Sequence, residues 1–277
     1  MRNRVTPLGT VEAIELRGAW LGNRGILHRD QEIVRFHAST LWIICELEFR
    51  GWRAPQWEPH HYTALFFHDE AVALAAGHRP CALCRRASYR AYREAYASVA
   101  GCAIESAKEA DRRLHHERIV RGTHTRRFHE MSWGGLPDGS FVRAHDTCAL
   151  VLGAALVEWS YSGYLRAVPR PRSGRAQVIT PPMTVSALLG GYAAQIDAEA
   201  YRLVGADSLA GMHSPEEASL SLGLRTGRPG GAGRSAIVRT AVAARICEKC
   251  GLKPLLGRQQ RGRLGHQRIK FTSRPGT

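Results

Sequence analysis

The alternation of apolar and polar positions predicts short strands over the first 66 residues. Strand-like runs lie at residues 11–17, 32–36 and 41–49, with turn-forming residues such as Gly22-Asn23 between them. A short helix should follow, because Asp69 is a good N-cap, residues 71–76 are rich in alanine, and Gly77 can end the helix. The pattern predicts a β-rich amino-terminal unit with one short helix.

Helical periodicity predicts a pair of helices over residues 86–99 and 106–118. Tyr89, Tyr92 and Tyr96 share one face of the first, which is typical of core packing. Strand-like runs at 140–142, 149–152 and 156–159 predict a small β meander, and a helix should begin near residue 180 and end at residues 190–191. The fold class is therefore predicted to be α+β.

Charge and composition change after residue 202. The chain carries 39 Lys and Arg against 24 Asp and Glu, and residues 203–277 hold 13 of the basic residues but only 4 of the acidic ones. Periodicity also fades there while Gly and Arg increase, so a disordered basic tail is predicted. We expect residues 1–118 to form one α+β domain, 119–202 a small β-rich unit packed on it, and 203–277 the tail.

The net charge of +15 favours polyanionic partners, with DNA preferred, although an arginine-rich proteome would produce the same excess. The longest apolar run, residues 148–157, is about half of a membrane span. No signal peptide is recognisable, so a cytoplasmic location and no membrane partner are expected. Thiols stay reduced there, so the seven cysteines suggest metal binding or core packing before disulfides.

The segment Cys81-Ala-Leu-Cys84 has the spacing of a zinc half-site, because two intervening residues let one tight turn direct both sulfurs at one ion. Residues 66–86 resemble the Ada-type metal-binding module of bacterial DNA alkylation-repair proteins, and the resemblance extends over about residues 41–86 if the preceding strand is included. The matching positions are Gly77, Arg79, Pro80, Cys81 and Cys84. The resemblance implies a Zn²⁺ ion held by four thiolates, the first of which accepts a methyl group from a DNA phosphotriester.

The chain departs from that family in its other ligands. Cys45 is the single upstream cysteine, and His78 stands where the family has an aromatic residue. Three thiolates leave less negative charge on sulfur than four, which disfavours methyl transfer to Cys45, and Cys45 could instead be a buried core residue. Water or one of several side chains could be the fourth ligand: His60, His61, His68, His78 or the Cys247/Cys250 pair.

Two further groups of polar residues are candidates. On helix 106–118, Asp111 and His115 share a face and Glu117 is near enough to act as an acid or base, although a solvated helix face explains the same residues. The turn from Cys81 to Cys84, which we call the knuckle, is flanked by three arginines: Arg79, Arg85 and Arg86. They are expected to point outward and contact nucleic acid, because a core cannot hold unpaired guanidinium groups.

These features favour a zinc-containing nucleic-acid-binding protein, with a link to DNA repair as the finer expectation. Two alternatives remain open. One is a nucleic-acid-processing hydrolase or transferase that uses the acid and base residues of helix 106–118. The other is a zinc-stabilised protein–protein adaptor.

Overall fold

The amino-terminal part of the protein forms a set of short strands, as its sequence pattern predicts. The computed structural model describes residues 3–103, 106–144 and 146–210. In the order of the chain, the first strands are β1 (Arg4–Val5), β2 (Val11–Glu12), β3 (Trp20–Asn23), β4 (His28–Arg29), β5 (Glu32–Ile33), β6 (Ile43–Cys45), β7 (Glu48–Phe49), β8 (Trp52–Arg53), β9 (Leu65–Phe67) and β10 (Arg79–Pro80). A six-stranded sheet has the order β10-β6-β3-β9-β1-β2, and β4-β5 and β7-β8 form separate hairpins.

The first four helices occupy the positions that periodicity and capping predict, whereas the fifth was not predicted. The helices are α1 (Glu70–Ala75), α2 (Arg86–Ala100), α3 (Ala107–Arg118), α4 (Pro182–Leu189) and α5 (Ala198–Ala210). Asp69 caps α1 by accepting the N–H of Val72 at 2.8 Å. Gly77, with φ of +90°, ends it: the Gly77 and His78 amides bond back to the carbonyls of the last turn. A side chain at position 77 would also collide with the buried Arg118 side chain. Both the positive φ and the lack of space therefore favour glycine at this position.

A second six-stranded sheet contains the predicted meander and extends it. Its strands are β11 (His129–Ser132), β12 (Phe141–Ala144), β13 (Thr147–Leu152), β14 (Ala155–Ser160), β15 (Gly163–Pro169) and β16 (Arg175–Val178), in the order β11-β16-β12-β13-β14-β15. Strands β12, β13 and β14 pair antiparallel, as predicted. The sequence pattern did not predict β11, β15 or β16, which have fewer buried positions in a row than β13 has.

One hydrophobic core joins the two sheets. It includes Phe67 from the first sheet, Leu150 and Val157 from the second, and every alanine of α1, which contacts β3, β9 and β12. The α+β fold class is confirmed, while the division into residues 1–118 and 119–202 stays a prediction. Helix α5 crosses the predicted boundary at residue 203, and the tail from residue 211 onward lies outside the described residues.

Buried acidic groups at the start of α1 bind β15, the start of α2 and the segment after α4. The Asp69 carboxylate accepts a 2.8 Å hydrogen bond from the Tyr164 hydroxyl. The Glu70 carboxylate accepts bonds from Arg85 at 2.7 Å and from the Tyr192 hydroxyl at 2.6 Å. Because these buried carboxylates have several donors each, they hold the two sheets and the start of α2 in a fixed relation.

Candidate metal centre

Three cysteines converge where the first sheet meets α2. The Sγ atoms of Cys45, Cys81 and Cys84 all lie within 4.8 Å of one another. Strand pairing explains the approach: β10 lies parallel to β6, with Pro80 beside Ile44, and the Cys81 amide donates to the Ile44 carbonyl at 2.9 Å. Cys81 therefore follows directly beside Cys45, as the order of strand, helix and knuckle predicts.

The knuckle turn prepares the sulfurs for an ion. The Leu83 amide donates to Cys81 Sγ at 3.4 Å, an arrangement that favours a thiolate. Hydrogen bonds from Cys45 and Cys84 lower the pKa of Cys81, while the hydrogen bond to Cys81 raises the pKa of Cys45. The three thiols are thus close enough to hydrogen-bond to one another, and an ion would displace their protons on binding.

This set of donors fits a soft or borderline metal. Thiolate ligands select Zn²⁺, Cu⁺ or iron–sulfur clusters over Mg²⁺ and Ca²⁺, and tetrahedral zinc–thiolate geometry places sulfurs about 3.8 Å apart. Among the described residues no disulfide ties up these cysteines, and no His, Asp or Glu joins the group. The structure therefore contains a three-cysteine site that is close enough to bind a metal ion.

The prediction that His78 is a ligand is wrong. His78 is fully buried, with its ring centroid 4.6 Å from that of Phe67 and 5.1 Å from that of Trp42. Its Nε2 atom faces the Arg24 guanidinium at 3.1 Å. Burial beside arginines lowers the pKa of His78, so it is a neutral core residue.

The other histidines proposed as the fourth ligand also lie outside the group of sulfurs. His68 faces Asp197 at 3.7 Å and Tyr164, on the side toward the second sheet. His60 and His61 belong to the loop before β9 and are not among the clustered groups. The Cys247/Cys250 pair lies outside the described residues.

The expectation that all three knuckle arginines point outward is wrong for two of them. Arg79 is buried and bonds through two nitrogens to both carboxylate oxygens of Asp111, each at 2.8 Å. Arg85 is buried against Glu70 and over the ring of Trp20, at 3.8 Å from its centroid. The core accepts both because each meets a carboxylate from a distant segment, which no local pattern reveals. Arg86 is exposed.

The acid and base candidates of α3 point to different places. Asp111 is held by Arg79, and Glu117 accepts the Met183 amide at 2.8 Å, at the start of α4. His115 accepts instead from Arg118, at 3.3 Å. The three side chains do not form one catalytic cluster, and burial of Asp111 shows that this helix face is packed rather than solvated.

Glu117 makes stability depend on pH. Burial raises its pKa from 4.5 to about 7, so the folded state retains a proton that the unfolded state has lost. Its contribution therefore falls as the pH rises from about 4.5 to 7, by up to about 3 kcal/mol. We expect Glu117→Gln, which keeps an acceptor for the Met183 amide, to unfold at a higher temperature than the wild type at pH 8 but not at pH 5. Thermal unfolding at both pH values measures this, and an equal difference at the two would contradict it.

A pocket that sequence reasoning missed lies beside α3. Its volume is about 460 Å³, and its polar lining consists mainly of basic side chains, namely His37, Arg112, His115, His116, Arg121 and His124. The first histidine is far from the others in sequence, so only the fold brings them together.

Comparisons with family models, with curated proteins and with solved structures give no match to this chain. The Ada-type resemblance of residues 41–86 therefore stays an expectation drawn from the knuckle. No helix within the described ranges is long and apolar enough to cross a bilayer.

Proposed function

We propose that the protein binds one zinc ion through Cys45, Cys81 and Cys84 and uses the folded unit so stabilised to bind nucleic acid. The observation that carries the metal part is the convergence of the three thiols within 4.8 Å, one from the end of β6 and two from the turn between β10 and α2. Zn²⁺ is the ion proposed because thiolate ligands on a short two-residue turn are typical of structural zinc sites.

The zinc ion would serve mainly as a structural link. Cys45 ends β6, Cys81 follows β10, and Cys84 lies just before α2, so one ion would tie the edge of the first sheet to a helix. A structural zinc site normally has four ligands. The fourth position would be filled by water or by a cysteine from outside the described residues, of which Cys247 and Cys250 are the candidates.

The distribution of charge supports nucleic acid as the partner. Residues 1–210 contain 26 Lys and Arg against 21 Asp and Glu, whereas residues 211–277 contain 13 against 3. Two exposed arginines in the first turns of α2, Arg86 and Arg90, add positive charge next to the knuckle. Basic side chains without equal acidic neighbours attract phosphates at long range.

The salt dependence of binding tests this part of the proposal in the full-length protein. Each neutralised phosphate contributes about −0.9 to the slope of log affinity against log salt on duplex DNA, so losing four contacts would flatten the slope by up to about 3.6. We expect such a flattening when four arginines of the carboxyl-terminal segment are replaced by glutamine: Arg258, Arg261, Arg263 and Arg268. Fluorescence anisotropy over a series of salt concentrations measures the slope.

A matched control separates local contacts from net charge. It removes the same number of positive charges from arginines that already pair with acidic side chains on the folded body, namely Arg53, Arg166, Arg175 and Arg202. The control should change the slope by less than about 1. The nucleic-acid proposal fails if the wild-type protein shows no salt-dependent binding to duplex DNA, single-stranded DNA or RNA.

A further inference from the structure

The pocket beside α3 is a cationic cavity without acidic side chains. Four histidines and two arginines line it, and no described Asp or Glu is part of the lining. The imidazole rings lie close together: His37 is 5.0 Å from His115 and 5.5 Å from His124, between ring centroids. Neither the metal centre nor the buried Arg79–Asp111 pair shares a residue with this lining.

Two buried arginines lie directly behind the pocket. The guanidinium carbons of Arg24 and Arg118 are 4.1 and 4.0 Å from the ring centroid of Trp42, which itself lies 5.8 Å from the ring of His37. Both arginines are fully buried, and the bonds recorded for them go to backbone carbonyls and histidine nitrogens rather than to carboxylates. Arg24 Nη2 and Arg118 Nε have no hydrogen-bond partner among the described residues.

Buried positive charge without a paired anion is costly, and it leaves the pocket with a strong positive potential. The lining histidines respond mainly to burial and secondarily to nearby charges. Burial and the charges of Arg118 and neighbouring groups lower the pKa of His37, and they lower the pKa of His115 to about 4. The pocket therefore has positive charge in its wall and no acidic side chain in its described lining, and the carboxylate that acts on Arg118 from behind, Asp111, is already bonded to Arg79.

Arg118 also fixes which nitrogen of His115 carries the proton. Because the Arg118 guanidinium donates to Nδ1 at 3.3 Å, that atom must be the acceptor of the neutral ring. The proton then lies on Nε2, so His115 offers the pocket an N–H donor without needing to be charged.

We propose that this pocket binds the terminal phosphate of a nucleotide or of a nucleic-acid strand. Arginine forks and imidazole N–H groups are suitable donors for phosphate oxygens. The buried guanidinium groups of Arg24 and Arg118, which have no carboxylate hydrogen-bonded to them, favour a doubly charged monoester over a singly charged diester. A volume of about 460 Å³ exceeds that of a phosphate and leaves room for the adjoining sugar or base. The choice of phosphate rests on the nucleic-acid function proposed above, whereas the cationic cavity itself does not.

Binding of end-modified oligonucleotides to the full-length protein tests the proposal. Three single-stranded oligonucleotides of one sequence are compared, carrying a 5′-phosphate, a 3′-phosphate or hydroxyl groups at both ends. We expect one of the phosphorylated strands to bind at least about tenfold more tightly than the hydroxyl strand, because charged hydrogen bonds to the terminal group are gained. Equal affinities for the three strands would overturn the inference while leaving the nucleic-acid function intact.

Substitution of the two exposed lining arginines locates the effect. Arg112→Gln with Arg121→Gln should abolish the preference for a terminal phosphate, and the overall fold should persist because both side chains are exposed. The matched control, Arg53→Gln with Arg175→Gln, removes the same charge elsewhere and should keep the preference. A preference that survives in the Arg112/Arg121 variant would overturn the assignment of the pocket.

A second arm decides the case in which no oligonucleotide binds and the nucleic-acid function itself fails. Calorimetric titration with adenosine 5′-monophosphate and with adenosine then reports on the pocket alone. Binding of the monophosphate but not of adenosine, lost in the Arg112/Arg121 variant, supports a nucleotide site. Binding of neither, or of both equally, overturns the inference.

Discussion

Replacing Cys81 by serine should abolish stoichiometric zinc binding and leave a less stable protein. Cys81 contacts both of the other thiols in the three-cysteine group, and a serine hydroxyl is a poor substitute for a thiolate on zinc. An ion that binds only the folded state stabilises it by about 2.7 to 4.1 kcal/mol when its free concentration is 100 to 1,000 times its Kd. We expect a loss of about this size in urea unfolding at buffered zinc, together with a metal content near zero by atomic emission.

Cys102→Ser is the matched control for that experiment. Cys102 is an exposed free cysteine that is not part of the three-cysteine group, so its loss should alter neither metal content nor stability. A chelator should lower the stability of the wild type to that of Cys81→Ser and leave the variant unchanged. A purified wild-type protein without stoichiometric metal, or a Cys81→Ser variant that retains it, would refute the zinc assignment.

The knuckle could be predicted because its determinants are local. Two residues between Cys81 and Cys84, with Gly77 and Pro80 before them, specify a helix stop and a turn whatever the rest of the chain does. The approach of Cys45 was predictable from the order of a strand, a helix and a knuckle, and it was realised by the parallel pairing of β6 with β10.

The partners of buried charges could not be predicted in the same way. Arg79 and Asp111 are 32 positions apart, and neither has a local signal that distinguishes a buried partner from solvent. The i, i+4 spacing of Asp111 and His115 suggests an acid–imidazole pair, but in the fold Asp111 accepts two hydrogen bonds from the Arg79 guanidinium instead. The prediction of His78 as a metal ligand failed for the same reason, because its hydrogen-bond donor, Arg24, lies 54 positions earlier in the chain.

Tertiary packing also explains what was missed in the second sheet. Strands β13 and β14 are nearly continuous apolar runs, since both face a core, and they were recognised as such. Strand β11 alternates between half-buried and exposed positions and pairs with β16 across more than 40 residues of chain. Short polar strands of this kind depend on their partner for formation, so their own sequence indicates little.

Asp111→Ala should destabilise the protein by about 3 to 5 kcal/mol, the usual cost of leaving a buried charge without its partner. Arg79 is 1% exposed and donates from two guanidinium nitrogens to Asp111, so water cannot easily replace the carboxylate. The backbone of Arg79 pairs with β6 just before Cys81, and this pairing positions Cys81 beside Cys45. A disturbed Arg79 should therefore lower the zinc affinity as well.

Two further variants separate the cost of an unpaired charge from the value of the pair, with urea unfolding and competitive zinc titration as the measurements. Glu130→Ala breaks an exposed pair with Arg175 and should change stability by no more than about 1 kcal/mol. Arg79→Met combined with Asp111→Leu removes both charges and should recover most of the stability that Asp111→Ala loses, since an apolar pair needs no compensation. If the double variant is no more stable than Asp111→Ala, the pair matters for the positions of its hydrogen bonds rather than for charge balance. If Asp111→Ala costs as little as Glu130→Ala, Arg79 is not dependent on Asp111, and β10 and the knuckle must be held by backbone pairing and by the sulfur site alone.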